Sequence, residues 1–303
     1  MSDTGPSETS MRPISDAKKN FLVVGGSGFV GRYLVDRLRS LGHSVTSLSR
    51  ARGFDILRDE LPLAGIHHVF HLAARTGVAD SWRHTFDFLH TNICGTARLL
   101  EQCRQRDCPV TFLSTFLYAT QENRSAKEMD RIEITHPYGL SKHVGEQICT
   151  LFADQFGLRI VILRPSNIYG PGQSANFLIP HVVSQILDDR ITEVEVNDLA
   201  PARDYIHIAD VVDGMILSMQ ANAGTIFNLG SGTAHSVEDI IQLASAVAGV
   251  NKPYHQTGRT RPRDVGRAVV DISSIRDAVG WSPRITLESG LRSVVESMRP
   301  CRP

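Results

Sequence analysis

The chain has 303 residues, and its 32 Lys and Arg balance its 32 Asp and Glu, so the formal net charge is zero. A neutral chain has no bulk electrostatic attraction for nucleic acid or for an anionic membrane, and we expect neither as a partner. Hydrophobic residues make up 42% of the sequence, which is ordinary for a globular protein, and no apolar run approaches the ~18 residues of a membrane-spanning helix.

The first nineteen residues are rich in Ser, Thr and Asp and lack the apolar stretch of a signal peptide. We therefore predict a flexible tail over residues 1–19. The five cysteines are odd in number and scattered, without the paired Cys or spaced His of a metal site. We expect free thiols, no metal and a cytoplasmic location.

Short apolar or β-branched runs alternate with amphipathic stretches over the first half of the chain. The predicted elements in chain order are a strand at 20–24, a helix at 29–41, strands at 44–48 and 68–72, a helix at 83–106, a strand at 110–113, a helix at 138–156 and a strand at 159–163. This alternation predicts right-handed βαβ units and a parallel sheet covered on both faces.

The pattern becomes irregular after Pro165, where Pro, Gly and Asn cluster up to Gly172. Helices are predicted later, at 180–187, 237–247 and 287–298. We therefore expect an α/β fold with a doubly wound parallel sheet and a smaller, mixed α/β C-terminal domain. The predicted large domain takes 20–170 with about 205–232, and the small one takes about 171–204 with 233–303.

Three glycines lie between the first strand and the first helix. Gly25, Gly28 and Gly31 are spaced three apart, in a position where a tight turn, close approach to a pyrophosphate and helix–strand packing are needed. The free N–H groups at the helix start would receive the phosphate charge. This position, between a buried strand and an amphipathic helix, predicts a dinucleotide site.

The second strand ends in Ser49-Arg50-Ala51-Arg52, without the carboxylate that holds the adenosine ribose in NAD enzymes. An arginine there could bind a 2′-phosphate through charge-assisted hydrogen bonds. We therefore favour NADP, with NAD as the alternative in which Arg50 and Arg52 are ordinary solvated residues.

Tyr138 and Lys142 are four residues apart in a predicted helix and therefore share a face. A lysine ammonium one turn away, together with a positive nicotinamide ring, would lower the tyrosine pKa from its usual value near 10 and let the phenol exchange a proton with a sugar hydroxyl. Ser114 follows the strand at 110–113, at the sheet edge where open α/β folds bind ligands, and could orient the reacting oxygen.

These motifs, with His71-Leu72-Ala73-Ala74 and Thr91-Asn92, resemble the extended short-chain dehydrogenase/reductases, specifically the NAD-dependent epimerase/dehydratase group of nucleotide-sugar enzymes. The resemblance runs from about residue 21 to residue 296 and implies a Rossmann-type dinucleotide domain before a substrate domain. It implies catalytic roles for Ser114, Tyr138 and Lys142. It also implies dinucleotide contacts for Gly25, Ser27, Gly28, Phe29, Val30, Gly31, Ser49, Arg50, Asp55, Ile56, Leu72, Ala73, Ala74, Asn92, Tyr138, Lys142 and Pro165.

The same resemblance assigns roles within these sets. Asp55 would contact the adenine amino group, Asn92 would support the water network of the active site, and Lys142 would bind the nicotinamide ribose. Arg203 and Arg261 would hold the substrate diphosphate, since fixed guanidinium groups suit that anion. The implied substrate-binding residues are Ser114, Thr115, Asn167, Asn176, Arg203 and Arg261.

Three departures from the family pattern bear on the reaction. Thr115-Phe116 follows Ser114 where the 4,6-dehydratases have an acid pair, so dehydration is not expected. The missing carboxylate after the second strand and the short connection from Arg50 to Asp55 favour NADPH-dependent reduction of a 4-keto-6-deoxy sugar nucleotide. A nucleotide-sugar 4-epimerase is the alternative, since the substrate-side motifs are similar to those of epimerases. A non-catalytic NADP-sensing protein is a remote alternative.

Relatives of this type also lead us to expect a homodimer.

Overall fold

The computed structural model describes residues 17–116, 124–259 and 266–299. Arg261 and residues 1–16 of the predicted tail lie outside them. The strands are β1 Asn20–Val24, β2 Ser44–Leu48, β3 His68–His71, β4 Val110–Leu113, β5 Ile160–Pro165, β6 Asn167–Tyr169, β7 Val194–Val196, β8 Ala202–His207, β9 Ile226–Leu229, β10 Ala234–Ser236, β11 Tyr254–Gln256 and β12 Arg267–Ala268. The α-helices are α1 Phe29–Ser40, α2 Val78–Arg83, α3 Thr85–Leu89, α4 Gly95–Gln105, α5 Pro137–Phe156, α6 Leu178–Leu187, α7 Ile208–Ser218, α8 Val237–Ala248, α9 Ser273–Val279 and α10 Leu287–Met298.

Six parallel strands form the main sheet, in the order β2-β1-β3-β4-β5-β9. Phe21 and Val23 of β1 join one buried cluster with residues of α1 and α7, whereas Leu22 and Val24 join a second cluster with residues of α4 and α5. Because successive side chains of a strand point to opposite faces, these clusters are the two sides of one sheet. The continuous apolar run of β1 follows from burial on both faces, and the predicted doubly wound α/β fold is confirmed.

A smaller, mixed unit follows the main sheet. Strand β8 pairs in parallel with β6 and β12 and antiparallel with β10, while β7 and β11 form a separate parallel pair. Helices α6, α8 and α10 pack around a third apolar cluster. Ile275 of α9 and Trp281 belong instead to a cluster of the main sheet, so the chain returns to it near its end. The domain boundaries stay a prediction.

The chain is helical over most of the stretch predicted as one helix at 83–106, but that stretch has a break at His84 and one irregular turn. His84 separates α2 from α3 with non-helical angles (φ −128°, ψ 44°), and one π-helical turn, His90–Cys94, separates α3 from α4. Such turns are frequent at functional sites. Here the turn places the buried Asn92 toward the β3–α2 connection and α5, where its amide finds partners.

No helix of the stretches that the structure describes is long and apolar enough to cross a membrane. In the same stretches, no group of three or more His, Cys, Asp and Glu side chains could hold a metal ion.

Candidate active site

The candidate site lies at one edge of the main sheet, where the carboxyl ends of its parallel strands meet. β1, β2, β3 and β4 lead directly into predicted site residues, and β5 ends in one. Open α/β sheets bind ligands at this edge. The residues at these five strand ends are Gly25, Ser49, Leu72, Ser114 and Pro165.

The glycine loop is built for close backbone approach. Gly25 has φ +98°, and a Cβ there would lie 2.6 Å from the backbone nitrogen of Ala73. A Cβ on Gly31 would collide with the carbonyl oxygen of Gly25, so only glycine lets α1 start against the loop. Within this described loop, no side chain caps the start of α1 at Gly28 and no acidic residue lies in its first turn. The helix start therefore suits an anion, and the predicted phosphate site there stays a prediction.

The end of β2 combines buried hydroxyls with exposed cations. Ser49 is buried, Arg50 is exposed, and a short 3₁₀ turn, Arg50–Arg52, ends at Gly53 with φ +82°. The hydroxyl oxygens of Ser47 and Ser49 are buried and have no hydrogen-bond partner among the described residues. Because buried polar atoms are usually paired, these two hydroxyls fit a polar ligand such as the ribose phosphate of a dinucleotide.

Asp55 and Ile56 lie beyond this turn. The Asp55 carboxylate accepts the backbone N–H of Leu57 at 3.0 Å and lies 4.0 Å from the Arg58 side chain. Ile56 is buried, and a Cβ on Gly95 would lie 2.9 Å from its Cγ2 atom. Ile56 thus packs tightly beneath the start of α4.

The Tyr138 side chain is held on three sides at the start of α5. Its ring is parallel to that of His136 (centroids 6.0 Å, interplanar angle 8°) and edge-on to that of Phe88 (6.3 Å, 82°). Burial raises the pKa of Tyr138 to about 12, and a hydrogen bond with Thr115 offsets only part of that rise. Without a dinucleotide, burial is thus the largest influence on the pKa of Tyr138, and the lowering that we expect from Lys142 together with a bound nicotinamide ring stays a prediction.

Lys142 is buried, at 4% exposure. Its Nζ atom lies 4.1 Å from the centre of the Phe112 ring, a cation–π geometry. Burial lowers the pKa of Lys142 to about 8, while Cys149 and Glu146 act in the opposite direction. The ammonium group thus sits in a poorly solvated place where a ligand hydroxyl would be a strong partner.

Ser114 is buried, and its hydroxyl oxygen has no hydrogen-bond partner in the described part of the chain. Its backbone N–H donates to the carbonyl of Leu163 at 2.7 Å, which continues the sheet to this point. Ser114, Thr115 and Tyr138 come together: Thr115 follows Ser114 directly and hydrogen-bonds Tyr138. An unpaired buried hydroxyl beside a held phenol is the arrangement that a carbonyl or alcohol oxygen of a substrate would complete.

Asn92 is a bridge within the protein. Its amide oxygen accepts the N–H of Arg75 at 2.8 Å, and its amide nitrogen donates to the Arg75 carbonyl at 3.1 Å and to the Ser141 hydroxyl at 2.8 Å. Ser141 in turn donates to the carbonyl of Tyr138 at 2.8 Å. Asn92 therefore ties the β3–α2 connection to the first turn of α5, and its implied role in a water network stays a prediction.

The substrate-side residues lie on the smaller unit and its connection. Asn167 is exposed and donates to the Asp204 carbonyl at 3.1 Å, and Asn176 is exposed in the stretch before α6. Arg203 of β8 donates to the carbonyls of Ala202 (3.0 Å) and Gly266 (3.3 Å). The structure thus places three of the substrate-side residues but does not test whether they meet Arg261, which lies outside the described residues.

His136 and Phe88 are site residues that sequence reasoning missed. A usable signal existed for His136: it directly precedes Pro137, the residue that favours the first position of a helix, so it occupies the capping position. Phe88 gave no local signal, because its contact with Tyr138 depends on how α3 packs on α5.

The chain is similar in sequence and in fold to known proteins. GDP-6-deoxy-D-mannose reductase of Pseudomonas aeruginosa is 29% identical over 300 residues, which cover 91% of this chain and 96% of the relative. The solved structure of RMD from the same organism with NADPH has a TM-score of 0.85 at 26% identity and covers 92% of this chain and 98% of that one. UDP-glucose 4-epimerase of Thermotoga maritima with UDP-glucose has a TM-score of 0.84 at 29% identity, with coverage of 92% and 98%. A sequence profile matches residues 21–230, and the chain belongs to the NAD dependent epimerase/dehydratase family.

Proposed function

We propose that the protein is an NADPH-dependent reductase of a 4-keto-6-deoxy sugar nucleotide, with Tyr138 as the proton donor. The relatives include reductases, epimerases and dehydratases of nucleotide sugars, and the chain is an enzyme of this group. The observation that carries the finer assignment is the end of β2, where buried Ser49 and exposed Arg50 replace a carboxylate.

The coenzyme choice follows from charge at this strand end. No acidic residue lies between Ser44 and Phe54, so nothing there repels a 2′-phosphate, and Arg50 can pair with it. Among the described residues, β2 is the edge strand of the main sheet, so the adenosine half of the coenzyme would lie at that edge beside Arg50. Reduction consumes NADPH, so the coenzyme must exchange at each turnover.

The chain's own residues can perform the proton transfer. When bound, the reduced nicotinamide supplies the hydride. Tyr138 keeps its proton at neutral pH, since the ordinary pKa of a tyrosine is near 10 and burial raises that of Tyr138 to about 12, and it would donate this proton to O4 as the ketone is reduced. Ser114 would orient the carbonyl oxygen through its unpaired hydroxyl, and Lys142 would bind the nicotinamide ribose.

The first experiment is to denature the purified protein and identify any dinucleotide released. A protein that is empty, binds NADPH more tightly than NADH, and oxidises NADPH with 4-keto-6-deoxy derivatives of GDP, UDP or dTDP sugars has the proposed function. Oxidation of GDP-6-deoxy-D-mannose with NADP tests the reverse direction with a stable compound.

A nucleotide-sugar 4-epimerase is the second candidate. UDP-glucose 4-epimerase of Mycolicibacterium smegmatis is 28% identical, with coverage of 92% of this chain and 98% of the relative. An epimerase returns the hydride to the same sugar and therefore retains its coenzyme. Stoichiometric NAD in the purified protein, with conversion of UDP-glucose to UDP-galactose, would establish this function and overturn the reductase.

We also propose that the protein forms a homodimer through α2, α3 and α5. These helices pack together and expose large apolar side chains in the monomer. Exposed apolar side chains usually mark an interface where they form a contiguous patch. The exposed side chains are Trp82 (62%), Phe86 (75%), Leu140 (39%), Leu151 (52%) and Phe156 (52%). The cytoplasmic location stays a prediction.

A further inference from the structure

The start of α5 is capped by a histidine. His136 has extended backbone angles (φ −154°, ψ 157°), and its Nδ1 atom accepts the N–H of Gly139 at 2.8 Å. Nδ1 can accept only when it carries no proton, so the ring in this arrangement is neutral with its proton on Nε2. The cap satisfies one of the helix-start N–H groups that would otherwise lack a partner.

The imidazole also supplies a flat surface for Tyr138. The two rings are parallel within 8°, with centroids 6.0 Å apart. A Cβ on Gly139 would lie 3.0 Å from Cε1 of His136, so the imidazole rests on the first turn of α5 and needs a glycine beneath it. One side chain thus contacts both the backbone and the phenol ring of this turn.

Histidine is not among the residues preferred at this position. Ser, Thr, Asp and Asn cap helices well but have no ring. A capping serine would satisfy the amide of Gly139 and leave one side of Tyr138 without its parallel neighbour. The choice of histidine is explained if the ring has a task beyond capping.

We propose that His136 is a positioning residue for Tyr138: the cap fixes the first turn of α5, and the imidazole plane fixes the phenol ring, so that the hydroxyl meets the reacting sugar oxygen. This inference rests on the proposed role of Tyr138 as the proton donor. His136 itself transfers no proton.

Three substitutions of His136 distinguish the effect of the cap from the effect of the ring contact with Tyr138. His136→Ser keeps a cap without a ring, His136→Phe keeps a ring without a cap, and His136→Ala keeps neither. We expect kcat to fall ~10- to 100-fold in the alanine variant, since small misplacements of a reacting group have effects of this size. The serine and phenylalanine variants should have intermediate values, and the Kd for NADPH should change by less than about twofold in all three.

Ser236 provides the matched control. It caps α8 in the smaller unit, where its hydroxyl accepts the N–H of Asp239 at 3.0 Å. Ser236→Ala should lower Tm about as much as His136→Ala, by roughly 2–4 °C, and leave kcat unchanged. Tyr138→Phe is measured in the same NADPH-oxidation assay.

A purely structural cap would give a lowered Tm and an unchanged kcat in His136→Ala, which overturns the proposal. Wild-type kcat in His136→Ser would also overturn it, because the ring would then have no effect. Full activity of Tyr138→Phe would refute the proposed function instead. An inactive Tyr138→Phe beside a fully active His136→Ala would refute only the inference about His136.

Discussion

Replacing Tyr138 by Phe removes the hydroxyl and keeps the ring between His136 and Phe88. Because general acid catalysis contributes typically ~10²- to 10⁴-fold, we expect kcat to fall by that range while NADPH still binds. NADPH oxidation and a binding titration measure the two effects. Tyr254→Phe is the control: its phenol donates to Glu238 at 2.7 Å in the smaller unit, and its loss should leave kcat unchanged. Equal activity of both variants would remove Tyr138 from the mechanism.

Lys142 costs stability at neutral pH, because burial lowers its pKa from 10.5 to about 8. Below pH 8 the lysine is charged in the folded and unfolded states, and the burial penalty is fully present. Between pH 8 and 10.5 the unfolded state binds more protons, so this penalty disappears as pH rises. We expect Lys142→Met to stabilise the protein at pH 7 by up to ~3 kcal/mol, at ~1.4 kcal/mol per pKa unit, and to abolish turnover. Thermal unfolding should show the advantage shrinking from pH 8 to pH 10, and an advantage that grows would contradict the sign.

Arg50 tests the coenzyme assignment. Removing a guanidinium that pairs with a 2′-phosphate should raise the KM for NADPH ~10- to 100-fold, because hydrogen bonds to charged groups contribute about 1.5–3 kcal/mol. The KM for NADH should not change in Arg50→Ala, since NADH lacks that phosphate. Arg292→Ala, on α10, is the control for loss of an exposed arginine. An unchanged preference for NADPH would show that Arg50 is an ordinary solvated residue.

The π-helical turn His90–Cys94 holds Asn92, and a substitution of Asn92 tests what the hydrogen bonds of its side chain contribute. Asn92→Ala leaves the N–H and carbonyl of Arg75 without their buried partner, which lowers the free energy of unfolding by about 1–3 kcal/mol. It also removes the hydrogen bond from Asn92 to the Ser141 hydroxyl, next to the first turn of α5. We expect both Tm and kcat to fall. Asn228→Ala removes a buried amide that donates to two other backbone carbonyls and should lower Tm with a smaller effect on kcat. If the two variants lose kcat equally, Asn92 has no special link to the catalytic turn.

Helices and strands that are longer or more buried were predicted more accurately than short ones. The bounds of β1, β2, β4 and α10 agree with the sequence prediction, because each has a strong apolar or amphipathic pattern. The strands of the smaller unit, such as β7, β10 and β12, have two or three residues, too few for a period to be recognised. The break at His84 depends on packing against α5, which no local pattern encodes.

The sequence could predict those site residues that lie at strand ends or in recognisable motifs. Gly25, Ser49 and Ser114 were placed at one sheet edge because parallel strands share their direction. The electrostatics were not predictable, since the raised pKa of Tyr138 comes from burial among side chains distant in sequence. The sequence also could not show that Asn92 bonds to Arg75 and Ser141.

At the scale of the whole molecule, the proposed dimer predicts a concentration-dependent mass. Sedimentation at micromolar concentration should show a dimer, and Trp82→Glu with Phe86→Glu should shift it to a monomer, because charges at an apolar contact lose their hydration. Trp281→Phe is unsuitable as a control, since that indole is buried and donates to Asp210. Arg190→Glu is a better control, because the Arg190 side chain is 90% exposed on the smaller unit. A wild-type monomer at high concentration would contradict the proposed interface.

Within the part of the chain that the structure describes, β2 pairs only with β1, and its other edge has a consequence for redesign. An unpaired edge strand can recruit a strand of another molecule, and natural proteins counter this with short, polar or charged edges. β2 has only five residues, three of them Ser or Thr, and Arg50 and Arg52 follow it directly. These arginines place charge at the end of the edge strand, where charged residues oppose intermolecular strand pairing in other proteins. An attempt to change coenzyme preference by placing Val or Ile at position 50 would extend an aggregation-prone edge, whereas Asp there would alter the preference and keep the edge guarded.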